Sequence, residues 1–571
     1  MADFIKTQNS FANGEVAPEF YVRDGINGVS CLENMDVLAS GALSRRSGLV
    51  SVERLRGPAK IINFSVSDTE QCIIALTDTS MFIYHNDVCV FETKTPWSYE
   101  DLSAVQYAQR FGTMIFVHPD HKPRVLQKTN DRFTLSEFYF DKDDATQTVN
   151  LPFMQFDDAS GVKITISAHS LGNNYATFTT NTAFWTPDSV GSRLYLLDNQ
   201  WLITEYISST QVVVYINTGY TMPNNSVSLW YESAFSNRRG WPRSITFHQD
   251  RLVFGGSRSW PSGIWMSKVG QHRNFNSGSG LDDEAIFVSL LSQERQEICT
   301  VVSSDNLQIL TNCGEWAISN KPLTPTSVDI KQHTSVGSMT GRYLQPQKIE
   351  GTTVFVSGNG RDIRELCLDE IGENYNANDL CALSKHLINM PLDMAYNSNT
   401  RQLFVVRTDG VMAVLNQNAA LGISAWARYT TNGKFISVAT CNGRTYVVVQ
   451  RDDRVFLEYF DSSALTDSGE YNFSFRVSGL PLTASKHNAS RIKVRKVSAR
   501  LLNTKTISIN SHRIALPNEI YDVSSAGYNG DVHINLLGTL KNTIEPMWTI
   551  HGDDPLPITV LSVSVHGWYT I

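Results

Sequence analysis

Two histidines in His118-Pro-Asp-His121 are the first candidates for chemistry, because paired imidazoles can ligate a transition metal. They fall in a hairpin turn with no third or fourth ligand nearby in the sequence, so the spacing reads as a solvated turn rather than a metal centre. Asp282, Asp283 and Glu284 place three carboxylates side by side in GLDDEAIF. A calcium loop needs more oxygens at defined spacing, and the EF-hand order is absent, so a loop or capping role is expected. Glu365 and Asp369 could form a glycosidase carboxylate pair, although any chain of 571 residues holds such pairs. Arg258, Trp260 and Trp265 mix a cation with indole rings, as a sugar or nucleic-acid platform does. Core packing is the plainer reading of indoles on a β-blade. Neither a P-loop nor a dinucleotide glycine pattern occurs. No catalytic residue, cofactor site or metal site is predicted.

The elements that must position these residues repeat. The stretch 241–275, WPRSITFHQDRLVFGGSRSWPSGIWMSKVGQHRNF, reads as strand, turn, strand, broken by Gly255 and Gly256, both read as supplying positive φ. Six further stretches have the same form: an apolar run, a polar turn, a second apolar run. They span 71–87, 112–130, 305–320, 351–369, 400–418 and 443–461. Apolar residues near the seven starts are Ile73, Met114, Leu252, Leu307, Val354, Leu403 and Tyr446, with gaps of 41, 138, 55, 47, 49 and 43 residues. Five of the six gaps match the roughly 40–50 residues of a four-stranded propeller blade. The long gap predicts an inserted β domain over 145–236, a barrel or a sandwich, with strands in VKITISAHS, RLYLLDNQWLITEYIS and TQVVVYINTGY.

Residues 1–58 lack a clear strand repeat and read as an extended arm on the body, with LENMDV as one short strand. Residues 465–571 read as a C-terminal β domain. Helix signals are few, with a single turn or two expected in 379–388. The expected fold is therefore all-β: a propeller of about seven blades in 59–144 and 237–464, interrupted by the insert and followed by the terminal domain. An eighth blade could lie in 1–58 or 465–571, or N- and C-terminal strands could pair to complete one.

A hydrophobic content of 42% with 18% charged residues excludes a disordered chain. The net charge of −8 argues against a nucleic-acid reader, but permits a surface past which DNA slides. The eight cysteines are scattered without a Cys-x-x-Cys and read as buried free thiols of a reducing compartment, Cys72 and Cys367 among them. No secretory signal and no apolar run long enough for a membrane helix is expected.

Four stretches carry a resemblance. The opening FANGEVAPEFYVRDGINGVSCLENMDVLASGALSRRSG contains Gly-Glu-x-x-Pro (Gly14, Glu15, Pro18) and Arg-Arg-x-Gly (Arg45, Arg46, Gly48), with Ser47 where proline is common. The others are VQYAQRFGTMIFVHPDHKPRVL (105–126), the 241–275 stretch, and DDPLPITVLSVSV (553–565). Together they resemble the tail nozzle proteins of short-tailed bacteriophages, also called tail tubular protein B. The resemblance is weakest in 141–235 and 465–545. It implies a propeller-based, non-enzymatic virion protein of the tail, made in the host bacterial cytoplasm. Its expected partners are copies of itself in a ring, usually a homohexamer, and the adaptor ring of the portal vertex. Tail fibres or spikes, the host surface and genomic DNA in transit through the lumen complete the set. Arg23, Arg45 and Arg46 are the candidate assembly interface; Arg45 and Arg46 would pair with a partner's carboxylates or bend the arm onto the propeller. The rival readings are a binding module for fibre or receptor acting through the insert, and a propeller enzyme degrading glycans.

Overall fold

The computed structural model describes residues 2–21, 23, 25–67, 69–130, 132–145, 147–169, 174–217, 226–369, 374–481, 491–516, 527–536, 540–541 and 545–570. Secondary structure in these residues is strands joined by turns and six single-turn 3-10 segments. The 379–388 signal is one of these, Lys385–Leu387.

Six four-stranded antiparallel sheets and one four-stranded antiparallel run within a ten-stranded sheet form seven blades, and the fold is a β-propeller. In chain order the blades cover 60–94, 106–137, 244–289, 298–334, 347–379, 391–429 and 434–461. Each of the seven repeated stretches forms the second and third strands of one blade, as 251–266 does in the third. The apolar runs are unbroken there because both faces of a middle strand are covered, as in the fully buried Arg251–Gly255. Gly256 alone of the glycine pair has positive φ. Gly255 is a strand residue, kept small because a Cβ there would lie 2.8 Å from Val301.

The chain divides into two compact units. One holds the second, third and fourth blades and the insert. Within it, the first strands of these three blades lie side by side. They are stitched by polar side chains: Ser244 Oγ accepts from Val301 N at 2.7 Å, and Gln106 Nε2 donates to Cys299 O at 2.7 Å. The insert is one seven-stranded sheet over 153–233. Its edge strand Ile164–Ala168 bridges back to Val227, just before Tyr231–Ser233 at the other side, so the sheet curls into a small barrel. Phe178, Leu194, Trp201 and Val214 fill it.

The other unit holds the first, fifth, sixth and seventh blades and the terminal domain. Its blades are stitched in the same way. Asp393 Oδ2 accepts from Val438 N at 3.2 Å, and Ser437 Oγ accepts from Ile61 N at 2.9 Å. The seventh blade takes its outer strand, Gly48–Leu55, from the arm. An N-terminal strand thus completes a blade, and no eighth blade occurs in the described residues of 1–58 or 465–571.

The arm departs most from the sequence expectation. Residues 2–45 are largely strands woven into the terminal domain. Ala2–Gln8 pairs with Thr559–Thr570, and Leu43–Arg45 pairs with the start of that same strand. Gly14–Glu15 and Gly28–Glu33 join a ten-stranded sheet that continues the sixth blade into Phe475–Gly479 and Thr549–Gly552. Two sheets thus enclose one core, with Val29, Leu32 and Val477 on one side and Val497 and Val563 on the other. LENMDV is two strands, because Asn34 takes a left-handed φ of 54° between them.

Candidate functional site

Three groups of side chains stand out, two in the arm and one beside the barrel. The first centres on Glu15, whose side chain is wholly buried. Gly14 has a φ of 59°, and a Cβ there would lie 2.4 Å from Trp426 O, so only glycine lets the arm lie this close to the sixth blade. Glu15 then enters between Gly28–Glu33 and Ile423–Tyr429. Its carboxylate accepts from Leu32 N at 2.7 Å and from Arg428 through both Nε and Nη2, and faces His386 Nε2 at 2.8 Å. Burial opposes ionisation, but the bonds from His386 and Arg428 hold the carboxyl below its usual range.

The second centres on Arg46, whose side chain and that of Asp467 are both fully buried. The pair is bidentate, at 2.9 and 3.0 Å. Arg46 Nε donates to Asn34 Oδ1, and Nη2 donates to Thr430 O, both at 2.9 Å. Its guanidinium carbon lies 3.6 Å from the centre of the Phe473 ring. Arg45 packs on the same ring at 4.3 Å and donates to Phe473 O, Asp554 O and Leu556 O. Both arginines expected at an assembly interface are buried within the chain; the donors of Arg46 and the terminal nitrogens of Arg45 are engaged there, whereas Arg45 Nε has no partner. Arg23 is exposed on a turn.

The other sequence candidates divide. His118 is buried rather than solvated, with its ring 4.7 Å from that of His121. Asp120 N donates to His118 Nδ1, and Asp101 lies 3.2 Å from His121 Nε2 and 3.9 Å from His118 Nε2. Burial and then the neighbouring His121 push His118 down to about 4. Glu284 caps its own loop, accepting from Gly280 N and Leu281 N, while the carbonyls of Asp282 and Glu284 accept from the buried Arg251. Glu365 and Asp369 lie four residues apart on one strand, roughly 13 Å at strand rise. That is too far for the roughly 5–9.5 Å of a glycosidase pair. Trp265 is core, and Trp260 packs edge-on to Phe156 and Phe287. Arg258 pairs with Asp120 at 3.0 Å. All eight cysteines are free, but Cys89 is exposed and Cys31, Cys313 and Cys367 are only half-buried.

The third group was not foreseen. A cleft of about 640 Å³ lies between the outer face of the barrel and the third blade. Tyr195 and Tyr231 are cross-strand partners on the barrel, and Phe153 pairs with Ser233 two residues on, so the three rings share one face. Ring centres are 5.6 Å apart for Phe153 and Tyr195 and 6.4 Å for Tyr195 and Tyr231. Phe287 lines the opposite wall. The available signal was the alternation of Leu194, Tyr195 and Leu196, with apolar residues inward and an aromatic outward.

No family profile and no curated protein matches this sequence. Among solved structures it is similar to BamB from Moraxella catarrhalis, with 12% identity and a TM-score of 0.33 over 72% of this chain and 100% of that one. It is likewise similar to the Myceliophteria thermophila Cps50 (Swd1) β-propeller domain, with 8% identity and a TM-score of 0.34 over 72% and 99%. The RRP9 WD40 repeats match at 6% identity and a TM-score of 0.33 over 73% and 100%. The propeller assignment rests on the seven blades themselves. Among the described residues no helix is long and apolar enough to cross a membrane.

Proposed function

We propose that this chain is the nozzle subunit of a short-tailed bacteriophage tail. It assembles into a homohexameric ring below the adaptor ring of the portal vertex and carries or abuts fibres or spikes. The ring extends the DNA channel, retains the packaged genome and passes it during ejection, without catalysis. The observation that carries this reading is how the four family-like stretches pair in space. The opening stretch meets the closing one where Arg45 donates to Asp554 O and Leu556 O and Leu43–Arg45 pairs with Thr559–Thr570. The second meets the third at the His-Pro-Asp-His turn, where Trp241 N donates to Pro119 O and Arg258 pairs with Asp120. Stretches that resemble one family and also form joint contacts support a common architecture. A closed ring needs a head-to-tail interface, one patch against a different patch of the next copy. Within each compact unit, blades stitched by polar groups form a firm base on which such patches can sit.

Native mass spectrometry with negative-stain imaging tests this, on the purified protein alone and mixed with its portal–adaptor complex. A sixfold ring, alone or on the adaptor, is the expected result. A monomer that ignores the adaptor overturns it.

A further inference from the structure

We infer that the cleft between the barrel and the third blade is a binding site for a neutral oligosaccharide. Four half-exposed rings define it: Phe153, Tyr195 and Tyr231 on one wall and Phe287 on the other. Aromatic rings on a barrel of this size are ordinarily covered, because each buries a large apolar area. Here they face a solvent-open cleft whose volume lies within the roughly 300–1,000 Å³ of small-ligand sites.

A second observation is independent of the rings. Trp265 lines the cleft and is only 1% exposed, yet its indole N–H has no acceptor. A buried donor without a partner is costly, and the same state at Trp185 and Trp316 shows that it is not peculiar to this cleft. The remaining polar groups on the lining include Asp198, held near Tyr195 by the tyrosine hydroxyl at 3.3 Å, and the amide of Asn276.

The lining selects the ligand class. It contains no lysine, arginine or histidine, so nothing there neutralises a phosphate, sulfate or uronate. An alkyl chain would cover the rings but would offer no hydrogen bond to Gln200, Asn276 or Ser277 on the lining. A neutral sugar has apolar C–H faces that stack on rings and hydroxyls that both donate and accept. It therefore matches the aromatic walls and the polar groups of Asp198, Gln200, Asn276 and Ser277 together. The inference does not depend on ring assembly, since all the groups belong to one compact unit of one chain.

The test is calorimetric titration of the full-length protein with maltohexaose, cellohexaose, xylohexaose, mannohexaose and galactohexaose, each followed by tryptophan fluorescence. Oligogalacturonate and choline serve as anionic and cationic probes. Saturable binding of at least one neutral hexaose, with a change in tryptophan fluorescence, is expected. Tyr231→Ala should weaken it by about tenfold or more, as loss of a stacking ring does. Asp198→Asn is the milder variant, because asparagine tolerates the left-handed φ of 58° at that turn. It should weaken binding about threefold, the loss of one modest hydrogen bond, with an unchanged melting curve. Failure of all five neutral hexaoses to bind overturns the inference. So does tighter binding of choline or oligogalacturonate, or neutral binding that both variants leave intact.

Discussion

The Arg46 lock and the aromatic cleft break the usual division of inside and outside in opposite directions. At the lock, two full charges are buried, and every group around them answers another: Asp467, Asn34 and Thr430 about the guanidinium, with Phe473 beneath it. At the cleft, four aromatic rings stay in contact with solvent and a buried indole N–H stays unanswered. The first arrangement is complete within one chain, and it ties the arm, the sixth blade and the terminal domain into one body. The second leaves apolar surface open to solvent. A polar group that is fully satisfied points to architecture; an apolar surface left open beside an unsatisfied donor points to a ligand.

The sharpest way to break this comparison is Arg46→Ala. It leaves Asp467 buried and unpaired, which should cost about 3–5 kcal/mol. Urea denaturation followed by circular dichroism would read it, and a loss below 1 kcal/mol would show that the lock is not structural. The paired change Arg46→Met with Asp467→Leu should recover much of the loss, since it removes both charges together.

Next in size is an acid-sensitive element in the other unit. His118 sits at about 4 in the folded chain, against an ordinary value near 6.5. Between those values the unfolded chain binds more protons, so stability falls as pH drops from about 6.5 to 4. The full effect is up to about 3 kcal/mol for one group. Thermal melts at pH 7 and pH 4.5 should separate less in His118→Gln than in the native protein.

Glu15→Gln should cost about 1–3 kcal/mol, because Arg428 and His386 lose a charged acceptor. The Glu15 carboxyl is lowered in the folded chain, so its contribution is present above the ordinary carboxylate range and lost as pH falls through the folded value. The variant should lose that acid sensitivity, which denaturation midpoints at pH 3 to 6 would show. The smallest effect belongs to the cleft: Asp198→Asn lies on an exposed turn and should change stability by less than about 0.5 kcal/mol. A larger loss would mean that the cleft residues hold the barrel together, and the contrast with the lock would weaken.

Much of the propeller was legible because a blade writes itself locally. Its middle strands are covered on both faces, so they appear as unbroken apolar runs at blade spacing, and all seven were found that way. The expected capping of the 282–284 loop was likewise local, since Glu284 answers amides three and four residues before it. The arm was illegible for the opposite reason. Ala2–Gln8 pairs with residues more than 550 positions away, and its alternation is masked because it is an edge strand. His118 was misread as solvated because a turn was taken to mean exposure, whereas it is buried, with Asp101 and the His121 ring beside it.

Composition and period alone determined that this is an all-β chain, that its repeat is a four-stranded blade, and that something of about 90 residues interrupts it. These are properties of short segments, where side-chain alternation and turn residues act within a few positions. Tertiary structure alone decided what the isolated polar residues do. Glu15, Asn34 and Asp467 have no partner in their own segments, and only when strands distant in sequence meet do their charges and amides become an anchor. The same holds for Tyr195 and Tyr231, ordinary strand residues until the curled sheet lines them up beside a blade. Burying a charge or exposing a ring is decided by what packs against it, and that information lies in the fold.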